Sequence, residues 1–149
     1  MKVFKIIQKK NEPSFEEIEV SLNSKNHHLN GTCFYDENQL MTWGHKVNIN
    51  LYDLEKNKSI WKSKCGSRDE LNLVIPILNR DLCIDHSSSS LYVTNGLNSI
   101  KMYDISRQRK PVSKFEVKQK EDVRLDKIIC DISGRYIYCL LYTSPSPRD

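Results

Sequence analysis

An all-β chain built from a repeating sheet is what the sequence predicts, and two observations predict it. Ile49-Asn50-Leu51-Tyr52-Asp53-Leu54 returns as Ile100-Lys101-Met102-Tyr103-Asp104-Ile105, and a fainter copy, Phe4-Lys5-Ile6-Ile7-Gln8, lies upstream. Apolar residues two apart, among β-branched and aromatic neighbours, describe a strand with one buried face. Around these copies, short strand-like runs alternate with Gly, Pro, Asn, Asp and Ser clusters. A strand ending in aromatic-Asp and returning after about fifty residues marks a β-propeller, each repeat spelling one four-stranded blade. The 149 residues fall short of a closed ring, which needs at least four blades of roughly 40–45 residues. The predicted fold is therefore a partial β-propeller, two complete four-stranded blades flanked by two half blades.

The elements follow in chain order. Residues 1–8 and 15–20 read as two strands around a polar turn at 9–14 that contains Pro13, the last two strands of a blade (unit 1–20). A polar connection at 21–30 leads to a full unit over 31–63, with strands at 31–35, 39–44, 47–54 and 59–63. The connection 64–79 is long for a hairpin loop, and Pro76 inside its semi-apolar run argues for a segment lying across a face rather than a central strand. A second full unit covers 81–117, with strands at 81–84, 90–96, 99–105 and 111–117, and its serine run at 87–90 reads as a hairpin turn. A third unit, 125–139, turns at Ser133-Gly134 and enters a strand at 135. From 140 to 149 the chain changes to Ser, Pro and Arg; that ending resembles a translated adaptor tail and is set aside from the fold. Met1 reads as internal, because no strands one and two precede it.

Composition narrows the function classes. The chain carries 38% hydrophobic and 28% charged residues with a net charge of +4, low in apolar content yet too rich in β-branched and aromatic runs for disorder. No apolar run reaches the roughly 18 residues of a membrane span, and the first residues lack the pattern of a signal peptide; a soluble, intracellular protein is expected. The five cysteines show no C-x-x-C spacing, and Cys33, Cys83 and Cys130 sit inside apolar runs as small buried hydrophobes. His27, His28 and Cys33 want a fourth ligand at zinc spacing. No Gly-rich phosphate loop, G-x-S-x-G or H-E-x-x-H occurs. The paired carboxylates Asp36-Glu37, Asp69-Glu70 and Glu121-Asp122 fall in turns and connections, as a solvated face requires. Asp53 and Asp104 recur with the repeat, which suits strand-end hydrogen bonding better than acid chemistry. No enzyme, cofactor, metal or small-molecule substrate is expected.

Charge by position within the repeat is more informative. The turns that follow the Tyr-Asp strands hold Lys9 and Lys10, then Lys56 and Lys58, then Arg107, Arg109 and Lys110. In a propeller these turns emerge on one face, and a recurring basic rim is what a phosphate-tracking surface requires. The first turns of each unit open on the same face and bring Asp36, Glu37, Asp85 and Asp131. Lysine in edge hairpins also serves simply to block aggregation, and this reading is favoured over RNA contact.

Two features carry a resemblance: the doubled Tyr-Asp strand, and a linker-plus-blade run. The run comprises Trp61-Lys62-Ser63-Lys64-Cys65, residues 69–78, Asp81-Leu82-Cys83, Leu91-Tyr92-Val93-Thr94, Met102-Tyr103-Asp104 and Arg109-Lys110-Pro111-Val112. It resembles the middle blades of the WD-repeat-containing protein 74 family, nucleolar WD-repeat factors of large-ribosomal-subunit assembly. The likeness covers about residues 1–139 and is most specific at 71–77 and 109–112. Val74 and Leu78 stand where the family has a basic residue and an aromatic; Tyr52 and Tyr103 stand for the usual Trp. The resemblance implies a WD-repeat scaffold of the nucleus and nucleolus, acting in rRNA processing. It implies pre-60S ribosomal particles (protein, with rRNA) and an AAA-type ATPase as partners, and no membrane. The linker residues Asp69, Leu71, Asn72, Leu73 and Pro76 are the partner-contacting candidates. A generic WD-repeat adaptor that reads a peptide is the alternative, and an enzyme on a propeller fold a third.

Overall fold

Alternating side chains along the chain are realised as strands throughout: among the described residues every regular element is a β-strand. The computed structural model describes residues 2–8, 13–19, 28–65, 71–96, 98–117 and 123–143, with the backbone alone at 2–8, 13–19, 123 and 142–143. β1 (Lys2–Gln8) and β2 (Pro13–Glu19) form an antiparallel hairpin with Ile6 opposite Phe15. β2 starts earlier than the sequence suggests, with Pro13 as its first residue, a position where a missing N–H is tolerated. β3 (His28–Asp36), β4 (Gln39–His45), β5 (Val47–Asp53) and β6 (Lys58–Lys62) make one antiparallel sheet in chain order. β7 (Asn79–Asp85), β8 (Ser90–Asn95), β9 (Ser99–Asp104) and β10 (Ser113–Glu116) make a second with the same order. β11 (Val123–Cys130) and β12 (Ile137–Thr143) pair as a hairpin. β12 runs past residue 139, so Leu140 to Thr143, set aside above as tail, are paired strand, with Leu125 opposite Leu141.

The two Tyr-Asp copies take the same place, third of four, in the same register. Tyr52 lies opposite Leu40 and Tyr103 opposite Leu91, while Asp53 faces Gln39 and Asp104 faces Ser90. A second equivalence is invisible in the repeat itself. β3, β7 and β11 each carry an extra residue where the register shifts, at Asn30, Arg80 and Asp126. A bulge breaks strict alternation. That is why the strands begin at 28, 79 and 123, ahead of the starts at 31, 81 and 125 read from the pattern. The extra residues then reach to the next sheet. Asn30 Nδ2 donates to the Asn79 carbonyl at 2.6 Å, and Arg80 pairs with Asp126 at 3.3 Å.

The core is the seam between the two four-stranded sheets. Met41, Trp43, Ile49, Leu51 and Trp61 come from the first, and Leu82, Leu91, Val93 and Tyr103 from the second, with Cys65 from the connection. Trp61 meets Tyr103 edge to face, centroids 6.2 Å apart at 90°, a geometry that the ring quadrupoles favour. Trp43 crosses the seam: its indole N–H donates to the Arg80 carbonyl at 3.2 Å. The same indole lies against Gly31, where a Cβ would collide with the ring. Asn79 fixes the seam from the other side, donating to the Val47 carbonyl at 3.0 Å.

A second packing surface joins β11 to β7 and β8. Leu125 and Ile128 are buried there, the Ile128 N–H donates to Asp81 at 3.1 Å, and the Cys130 thiol donates to the Ile84 carbonyl at 3.2 Å. The opposite face of this hairpin stays open, with Ile129 opposite Tyr138 and Lys127 opposite Leu140, all exposed.

Candidate ligand interface

The repeat aspartates end their strands as hydrogen-bond acceptors. Asp53 Oδ1 accepts from the N–H groups of Glu55 (3.1 Å) and Lys56 (3.0 Å), and Oδ2 pairs with Lys56 Nζ at 3.2 Å. Asp104 repeats this, accepting from the Ser106 N–H (3.0 Å) and hydroxyl (2.6 Å) and pairing with Arg107 Nε at 3.2 Å. Asp85, in the other hairpin of the second sheet, accepts from the Ser87 and Ser88 hydroxyls at 2.6 Å. These donors favour the ionised form. The Lys56 N–H lowers the Asp53 carboxyl, the Ser106 hydroxyl lowers Asp104, and the Ser87 hydroxyl lowers Asp85, all below the ordinary carboxylate range. The serine run thus serves a turn, with Ser89 in the left-handed region at φ 53°.

Both kinds of turn share one end of each sheet. The Leu54 N–H donates to the Asn38 carbonyl at 2.9 Å, and the Ile105 N–H to the Ser89 carbonyl at 3.4 Å. The basic residues named from the sequence consequently separate into groups. Lys56 and Arg107 are tied to Asp53 and Asp104 within their own turns. Lys58, Arg109 and Lys110 are exposed, and Lys9 and Lys10 lie outside the described residues.

Arg109 belongs to a different constellation. A concave site of about 470 Å³ opens at the outer seam of the two sheets, lined by Asn48, Lys62, Ser63, Lys64, Cys65, Ile77 and Arg109. The chain leaving β6 builds its floor. Ser63 brackets Ile49, donating its N–H to the Ile49 carbonyl and accepting the Ile49 N–H on Oγ, both at 2.9 Å. Ser63 Oγ touches Cys65 Sγ at 2.9 Å, and Cys65 Sγ shares a hydrogen bond with the Tyr103 hydroxyl at 3.2 Å. Burial, and then Cys65, push the Tyr103 phenol well above its usual value, so its hydroxyl keeps its proton. Alternation keeps Trp61, Ser63 and Cys65 inward and turns Lys62 and Lys64 outward. The Lys64 N–H donates to the Arg109 carbonyl at 2.8 Å, clamping the β9–β10 loop over the exit of β6. Three cations and, among the described residues, no carboxylate line this site. Among the described residues none of the three has an ion-pair partner.

The linker candidates flank the same place. Leu71 (78% exposed), Leu73 (61%) and Val74 (72%) are exposed aliphatic residues, and Pro76 is exposed beside Ile77. Asn72 adopts φ 63°, a conformation Asn accepts more readily than most residues. The segment is tied to the sheets by the bridge of Leu78 to His45 and by the Lys46 N–H, which donates to the Ile77 carbonyl at 2.8 Å, and Val74 is itself a bridge residue; Asp69 lies outside the described residues.

Three of the thiols are held in their protonated form. Burial, then the Asp81 charge, push Cys33 up to about 11, and burial also raises Cys83 (with Cys130 and Cys139 beside it) and Cys139. Among the described residues no three His, Cys, Asp or Glu side chains gather as a metal site, and no helix is long and apolar enough to cross a membrane.

Sequence reasoning named Arg109 but passed over Lys62, Lys64, Asn48, Ser63 and Cys65 as site residues. The signal for Lys62 and Lys64 was present: the alternation of Trp61-Lys62-Ser63-Lys64-Cys65 puts both lysines on one side. A scan against protein-family models and a search of curated proteins return no match.

Proposed function

We infer that this chain is a non-catalytic scaffold in large (60S) ribosomal subunit biogenesis and rRNA processing, part of a WD-repeat β-propeller. Its sheets would be successive blades, and it would bind pre-ribosomal protein and RNA surfaces in the nucleolus until an AAA-type ATPase releases it. One observation carries the reading. The stretches on which the family resemblance rests, residues 61–65, 71–77 and 109–112, meet at one basic concave site through Lys62, Lys64, Ile77 and Arg109. The blade reading draws on the equal strand order of the two four-stranded sheets and on the bulges shared by β3, β7 and β11. A surface spread over several connections suits a scaffold, which holds partners by area rather than by a reaction centre.

The test is sedimentation. Tagged protein is expected to travel with large-subunit precursor particles in a gradient of nuclear extract, and to leave that position when the particles are dissociated. A protein found only in the light fractions would sink the proposal. The alternative, a WD-repeat adaptor of another process, is favoured by the aliphatic linker beside the basic site, and it predicts peptide binding without such co-sedimentation.

A further inference from the structure

We propose that the concave site at the outer seam takes an acidic, aliphatic peptide segment of a protein partner; this rests on the scaffold reading and assigns its protein-binding surface. Lys62 and Lys64 from the end of β6 and Arg109 from the β9–β10 loop supply positive charge to one site, and the 2.8 Å hydrogen bond from the Lys64 N–H to the Arg109 carbonyl ties the two segments together. Arg109 can hold a carboxylate through two parallel N–H bonds. Among the described residues no carboxylate lines the site or pairs with these cations, which leaves them available to an incoming glutamate or aspartate. Lys56 and Arg107, by contrast, already hold their own aspartates.

The apolar surroundings decide between peptide and nucleic acid. Recognition of single-stranded RNA relies on aromatic side chains on which bases stack. The wall of this site is Ile77, and the same connection exposes Leu71, Leu73 and Val74; among the described residues the lining has no aromatic ring. Exposed aliphatic side chains next to cations match a partner segment that interleaves acidic and aliphatic residues.

Fluorescence anisotropy on the full 149-residue chain tests this, using a fluorescein-labelled peptide of alternating glutamate and leucine and an oligouridylate of equal length. The peptide should bind, and the combined Lys62→Ala, Lys64→Ala and Arg109→Ala variant should weaken it by about tenfold or more, as loss of interfacial charge contacts does. All three side chains are exposed, so the variant should keep the parent melting curve. Lys114→Ala, which removes an exposed lysine paired with Glu116, should leave binding unchanged. A readout without variants is phenylglyoxal modification mapped by mass spectrometry, where bound peptide should protect Arg109 and spare Arg107. Tighter binding of oligouridylate than of peptide, equal losses with Lys114→Ala, or no protection of Arg109 would each overturn the proposal. Peptide binding together with absence from precursor particles would overturn the ribosomal role and leave this site standing.

Discussion

At the scale of single residues, the aspartates that close the β5 and β9 strands are the clearest case of chemistry written into a repeat. Each carboxylate replaces backbone partners missing at a tight turn, as short acidic side chains do. Their lowered folded-state values fix the sign of the pH response. The stabilisation is present at neutral pH and is lost as pH falls below the ordinary Asp value of about 3.9 and through the folded value. A combined Asp53→Asn and Asp104→Asn variant should melt at a lower temperature than the parent at pH 7. It should also lose less on acidification, so thermal melts from neutral to acid pH should converge; parallel curves would show that the turns do not titrate this way. Cys33 works in the opposite direction, with its neutral form favoured by burial and by Asp81. That preference contributes fully below the ordinary thiol value and is lost as pH rises toward about 11. Its thiolate fraction at mildly alkaline pH should be about 100-fold lower than in the unfolded chain, from the shift between an ordinary value of 9.0 and about 11. Iodoacetamide labelling at Cys33, native against urea-unfolded, measures it; equal rates would contradict the burial argument.

At the scale of the element, β5 and β9 share order, register and sequence, yet bury different residues. In the first sheet the seam takes Ile49 and Leu51, so Tyr52, the next residue along, turns to the other face and stays half-buried. In the second sheet the seam takes the position equivalent to Tyr52, and Tyr103 is wholly buried against Trp61. One sheet meets the seam with its forward face and the next with its rear face, so equivalent side chains have unequal weight. Tyr103→Ala should cost about 3–5 kcal/mol, the range for emptying an aromatic site, and Tyr103→Phe about 1 kcal/mol for the lost hydrogen bond. Tyr52→Ala should cost only about 1 kcal/mol, the middle of the range for ordinary substitutions. Urea midpoints on the three variants would decide, and equal losses at Tyr52 and Tyr103 would refute the assignment of faces.

At the scale of the whole molecule, three kinds of link hold the sheets in series: the apolar seam, the bulge residues reaching forward, and the connection that carries the exposed linker. The outward face of β11–β12 leaves apolar side chains uncovered by the described residues, with Ile129 and Leu140 about 60% exposed beside Tyr138. Exposed apolar patches of this kind drive association. The chain should therefore self-associate as its concentration rises, and Ile129→Lys with Leu140→Lys should reduce this, both followed by sedimentation velocity. A chain that stays monomeric at every concentration would rule this out.

The alternation of side chains and the repeated Tyr-Asp ending are local signals, so the sequence alone determined an all-β chain, the order of strands within each four-stranded sheet and the turn-forming duty of Asp53 and Asp104. Strand starts at 28, 79 and 123 were not legible, because one inserted residue at a bulge reverses the phase of everything before it. The burial of Tyr103 but not Tyr52, and the meeting of Lys62 and Lys64 with Arg109, depend on which face of one sheet lies against its neighbour. That choice is made by contacts between residues some forty positions apart, and only the tertiary structure decided it.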